Sequence, residues 1–139
     1  MYKRQRLLGE RQIIIDCDVI QADGGTRCAA ITGGFVALAI AVNKLTNQRL
    51  VRENPLVGKV CALSCGIING EVVADLDYAE DSKCETDSNF VLNQDFNLIE
   101  IQGTAEAGAI SFEQVAKMYE LAKKAAAEIF EIQKKAINS

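Results

Sequence analysis

The sequence predicts an α+β domain in which a mixed β-sheet carries one buried helix and a long C-terminal helix. Three observations predict it: a small-residue apolar run from Cys28 to Val42, an Asn69-Gly70 pair between two alternating segments, and a one-sided apolar stripe after Ser111. With 139 residues, 49% of them hydrophobic, the chain fits a single domain able to bury its own core.

The first expected element is a strand over Gln12 to Val19, where "QIII" passes into the acid-apolar alternation "DCDV". Asp23-Gly24-Gly25 breaks it, because glycines permit positive φ and close backbone approach. From Thr26 to about Leu45 nearly every position is small and apolar, which predicts a helix surrounded by protein. Asn54-Pro55 marks a turn. A strand is expected from Val57 to Ile68, then a hairpin at Asn69-Gly70 and a return strand from Glu71 to about Leu76.

Asp77 to Ser88 reads as a polar acidic loop, and Phe90 to Asn93 with Asn97 to Gln102 as a second hairpin around Gln94-Asp95. The last element is the clearest helix. Ser111 caps it, Gln114 reaches back, and Val115, Met118, Tyr119, Ala122, Ala126, Ile129 and Phe130 form one apolar stripe. Glu113-Lys117, Glu120-Lys124 and Glu131-Lys135 stand at i,i+4 with the favourable polarity, each adding a few tenths of a kcal/mol.

Composition removes several function classes. The apolar run from Cys28 to Val42 is shorter than the roughly 20 residues a bilayer requires and is cut by Gly33-Gly34, so no membrane span is expected. There is no histidine, which excludes Ser-His-Asp and Cys-His catalysis. Five cysteines without a C-x-x-C pair read as reduced thiols in a cytoplasmic protein, not as zinc ligands or disulfides. A net charge of −4 argues against general coating of nucleic acid. The charge is divided: Lys3, Arg4, Arg6 and Arg11 crowd the start, while Glu71 to Glu106 is acidic with Lys83 its one base.

Two stretches carry candidate chemistry. In "GGTR", Gly25 admits an anion to the backbone, Thr26 offers a hydroxyl and Arg27 a planar fork of donors, at a helix N-terminus whose free amides favour negative charge. The competing reading is a plain turn with Thr26 as N-cap and Arg27 snorkelling outward. In "ADLDYAEDSKCETDSN", strand alternation would put Asp75 and Asp77 on one face, a pair suited to a general acid or a divalent metal. Its competing reading is a solvated turn with caps.

The segments "DCDVIQADGGTRCAAITGGFVAL", "DLDYAEDS", "ETDSN" and "IEIQGTAE" together resemble the RNase PH family, phosphorolytic 3′–5′ exoribonucleases that trim the 3′ ends of transfer RNA precursors. The likeness runs in order from about Leu8 into the C-terminal helix. It implies that Gly25, Thr26 and Arg27 bind the attacking inorganic phosphate, a co-substrate, and that Asp75 and Asp81 serve in catalysis or hold Mg2+. It also implies an RNA partner presenting a tRNA 3′ end and assembly as a homo-oligomer, a hexameric ring in the full-length form.

Family members are longer before this region, so residues 8–139 are read as a partial, C-terminal RNase PH domain truncated at the N-terminus, and residues 1–7 as a non-native or linker start. The alternatives are a non-catalytic RNA-binding or scaffold subunit of an exosome-like ring, or an inactive fragment. Cys28, where the family commonly has a hydroxyl residue, and Cys84 depart from its pattern.

Overall fold

A computed structural model describes residues 7–139, so the first six residues of the expected non-native start lie outside the described residues. The elements are α1 (Thr26–Asn47), β1 (Val60–Ile68), β2 (Glu71–Ala74), a one-turn α2 (Tyr78–Asp81), β3 (Thr86–Asn93), β4 (Leu98–Ala105) and α3 (Phe112–Ile137). The four strands form one sheet in the order β2-β1-β3-β4. Every pairing among the described residues is antiparallel, where a mixed sheet was expected. Hairpins at Asn69-Gly70 and Gln94-Asp95 join consecutive strands, and a tight hairpin can only reverse the chain. Asn69 and Gly70 have φ of 52° and 78°, the positive pair such a turn demands.

The sheet has two unlike faces. On one, Cys61, Leu63, Cys65, Ile67, Phe90 and Leu92 meet the α3 stripe through Met118, Ala122, Ala126 and Phe130. Each large side chain wholly buried there, such as Phe90, contributes about 1.5–3 kcal/mol. The α3 capping box forms as the sequence predicts, Ser111 Oγ accepting from Gln114 N–H and Gln114 Oε1 accepting from Ser111 N–H. Only Glu113-Lys117 pairs at i,i+4; Glu120 takes Lys123 and Glu131 takes Lys134, both at i,i+3. The two helical spacings are near-equivalent neighbours, so small rotamer differences choose between them.

On the other face α1 packs over Ala62 and Val91 through Cys28 and Ile31. Thr32 Oγ1 donates to the Ala62 carbonyl and accepts from its N–H, both at 2.9 Å. Gln133 of α3 reaches the same junction, donating from Nε2 to the Thr32 and Val60 carbonyls at 3.0 Å. Its Oε1 is buried with no partner.

Two expectations fail here. Gln12 to Val19 forms no strand: Cys17 Sγ reaches the Ala30 carbonyl and Ile15 lies against Gly34, so the segment runs along α1, where no ladder is offered. And α1 is not surrounded. Cys28, Gly34, Phe35, Ala39 and Val42 are buried, while Ile40 is 47% exposed on the opposite side. At 22 residues α1 is long and apolar enough to cross a membrane by length and composition alone, but its buried face is fastened to β1 and α3.

Candidate active site

The corner before α1 is built by two glycines with different duties. Gly25 is the N-cap with φ 68°, the left-handed region, and no side chain caps the helix. Thr26 is therefore the first helical residue and not the N-cap. Its Oγ1 donates to the Asp23 carbonyl at 2.9 Å and retains lone pairs for another donor. At Gly24 a Cβ would run into the Leu76 carbonyl, with the Asp77 carbonyl carbon 2.8 Å away. Only glycine lets the corner lie against the acidic segment. Asp23 fastens that contact: its Oδ1 accepts from Gly24 N–H at 2.8 Å and from Tyr78 N–H at 2.6 Å. These bonds hold its carboxyl below the usual aspartate range, Tyr78 contributing most.

The acidic segment is more ordered than a loop. β2 ends at Ala74, and Asp75 sits at φ 61°. Asp75 and Asp77 thus do not alternate on a strand, which corrects the expected shared face. The cause is Ser64 on the central strand. Its carbonyl accepts from Asp75 N–H at 2.8 Å and its Oγ from Leu76 N–H at 3.2 Å, turning the chain so that Leu76 is 2% exposed. Asp77 then caps α2 in a reciprocal box with Glu80. Asp81 closes that turn, its carbonyl taking the Cys84 Sγ–H at 3.1 Å.

Sheet register brings a third set of groups. Val91 faces Glu100, Asn89 faces Gln102 and Asp87 faces Thr104, all on the α1 side of the sheet. Arg27 crosses to this face and donates from Nη2 to Glu100 Oε1 at 2.7 Å, both side chains 46% exposed. The Cys28 thiol donates to Asn89 Oδ1 at 2.8 Å. That thiol is pushed up to about 11, chiefly by burial; Arg27 opposes the shift, and Asp87, Asp75 and Glu100 add to it. The guanidinium of Arg27 and the carboxylate of Asp75 therefore act on one buried group. Asp87 is raised as well, by burial first and then by the like charges of Asp81 and Glu106.

Of the expected site residues, Gly25, Thr26 and Arg27 form one turn, and Ser64 stands between that turn and Asp75: a Cβ on Gly25 would lie 3.1 Å from Ser64 Oγ. Asp81 comes into electrostatic range of Asp87. Asp23, Ser64, Asp87 and Glu100 join the site through tertiary contacts that local sequence does not specify. The alternations Asp87-x-Asn89 and Glu100-x-Gln102 are the available signal, and on β4 the opposite row, Ile99 and Ile101, is apolar.

Among the described residues no three His, Cys, Asp or Glu side chains converge to hold a metal ion. Asp75, at the end of β2, and Asp81, in α2, make no direct contact with each other.

Comparison with known proteins finds a family match over the four strands and the first part of α3, which does not reach the corner before α1. Residues 58–125 match the description "3′ exoribonuclease family, domain 2". The chain is 52% identical over 131 residues to Ribonuclease PH of Neisseria gonorrhoeae (strain NCCP11945), covering 94% of this chain and 54% of that protein. It is 53% identical over 130 residues to Ribonuclease PH of Cereibacter sphaeroides (strain KD131 / KCTC 12085), covering 94% and 55%. The chain spans about half the length of the curated relatives it matches. Among solved structures it is similar to rice (Oryza sativa) Rrp46, with TM-score 0.70, 22% identity, and coverage of 86% of this chain and 51% of that one. It is also similar to a chain of the Archaeoglobus fulgidus exosome with RNA bound to the active site, with TM-score 0.60, 16% identity, and coverage of 81% and 44%. At those identities the likeness is one of fold.

Proposed function

The chain belongs to the ribonuclease PH family, and from that membership we propose that it supplies the phosphate corner and the acidic side of a phosphate-dependent 3′–5′ exoribonuclease acting on transfer RNA precursors. The observation that carries the reading is the tie between Asp23 and Tyr78, which holds the glycine corner against the acidic segment.

In the proposed reaction an oxygen of orthophosphate attacks the phosphorus of the last phosphodiester. The bond from that phosphorus to the 3′ oxygen of the preceding nucleotide breaks, and the oxygen takes a proton. The products are a nucleoside 5′-diphosphate and an RNA one nucleotide shorter with a 3′ hydroxyl. Two anions must be brought together, so positioning and charge neutralisation carry most of the rate. Gly25 and the first amides of α1 receive the nucleophile, Arg27 orients it together with Thr26, whose hydroxyl turns from the Asp23 carbonyl to donate to the anion, and Asp81 gives the proton to the departing oxygen. Asp75 and Asp81 are alternatively the pair that would hold Mg2+, which supplies neutralisation of phosphate charge when bound.

RNA enters as a single-stranded 3′ end read by reach. Ring assembly, as a homohexamer, belongs to the same reading and is supported by the apolar edge strand β4, where Leu98, Ile99 and Ile101 are 44%, 59% and 43% exposed. Five free thiols suit a cytoplasmic location.

The test is release of nucleoside diphosphate from a tRNA precursor with and without phosphate. Expected is release that requires phosphate and falls by roughly a hundredfold or more in Arg27→Ala and Asp81→Asn. Release of nucleoside monophosphate, or cleavage indifferent to phosphate, overturns it.

A further inference from the structure

We propose that Glu100 is a positioning residue: its carboxylate on β4 holds the Arg27 guanidinium in place over the sheet before phosphate arrives. The inference rests on the reading of Arg27 as a phosphate ligand and deepens it.

Arginine carries a long, freely rotating stem, and an unheld fork at a helix start would sample many orientations. Arg27 is not unheld. Nη2 donates to Glu100 Oε1 at 2.7 Å, and among the described residues this is the one hydrogen bond made by the Arg27 side chain. The remaining N–H groups of the fork stay available to an anion. The backbone that carries the holder is placed by the sheet, because Glu100 stands opposite buried Val91 in the β3–β4 register, and Val91 packs on Cys28, the neighbour of Arg27. The contact thus closes a circuit from the first turn of α1 through Cys28 and Val91 to β4 and back. A half-exposed ion pair of this kind contributes little to stability. Its consequence is orientation, which lowers the entropy lost when phosphate binds.

The test measures binding of inorganic phosphate to the 139-residue chain by calorimetry, for wild type, Glu100→Ala, Glu100→Gln and Arg27→Ala, with melting in phosphate-free buffer as a check on folding. Expected is a roughly three- to tenfold weaker affinity in Glu100→Ala, with Glu100→Gln within about twofold of wild type, because a glutamine oxygen accepts the same N–H without charge. Equal or tighter binding in Glu100→Ala overturns the proposal by making Glu100 a competitor for the guanidinium. An equal loss in both Glu100 variants overturns it too. If Arg27→Ala binds phosphate as wild type does, the parent reading of Arg27 fails instead.

Discussion

Asp23 Oδ1 accepts the Tyr78 N–H at 2.6 Å, and through this one bond the turn before α1 and the first turn of α2 become parts of one surface. The bond favours the ionised carboxyl, so the folded value lies below the unfolded one. The linked stability is present above the ordinary aspartate range, about pH 4, and is lost as pH falls through the folded value. The melting-temperature gap between wild type and Asp23→Ala should be widest near neutral pH and close as acid is added. A gap that persists unchanged to roughly pH 2 counts against the tie.

Gly24 and Gly33 should respond oppositely to alanine. At Gly24 the new Cβ meets the backbone of Leu76 and Asp77, which cannot swing away, so Gly24→Ala should destabilise by about 1–3 kcal/mol or more. At Gly33, on the exposed side of α1, a Cβ meets nothing within 4 Å, and Gly33→Ala should stabilise by about 0.5–1 kcal/mol. Thermal melting of the two variants decides it, and a stable Gly24→Ala chain would mean the corner does not press on the acidic segment.

Asp87 is a carboxylate that the fold disfavours. Burial and the charges of Asp81 and Glu106 raise it, so its ionised form destabilises the native state at neutral pH. Stability should rise as pH falls through the raised value, until the unfolded chain also takes up a proton. Asp87→Asn should therefore melt higher than wild type at pH 7, with the advantage fading in acid. A lower melting point for the variant at pH 7 would show that Asp87 is instead held by compensating contacts.

Thiol chemistry should single out one residue. Cys61 and Cys65 are pushed up to about 12, chiefly by burial, and Cys28 to about 11. Cys84 is raised as well and buried, whereas Cys17 is exposed. An aromatic disulfide reagent at mild alkaline pH should titrate a single thiol in the native chain and all five after denaturation. Mass mapping that places the label elsewhere than Cys17 would contradict the packing of the sheet.

Local chemistry by itself determined the elements whose signal is short-range: the Asn69-Gly70 reversal, the Ser111 cap with the stripe of α3, the start of α1 at Thr26, and the parts of an anion corner in Gly25, Thr26 and Arg27. Those depend on φ preferences, periodicity and donor type, which a residue carries wherever it sits. Tertiary structure alone decided how the acids are disposed. Ser64, across the hairpin on β1, met the chain where β2 ends at Ala74 and Asp75 takes φ 61°, and antiparallel register placed Glu100 beside Arg27 across 73 positions. Gln12 to Val19 had every mark of a strand and pairs with no strand among the described residues, because an extended segment becomes a strand only when a neighbour offers its hydrogen bonds.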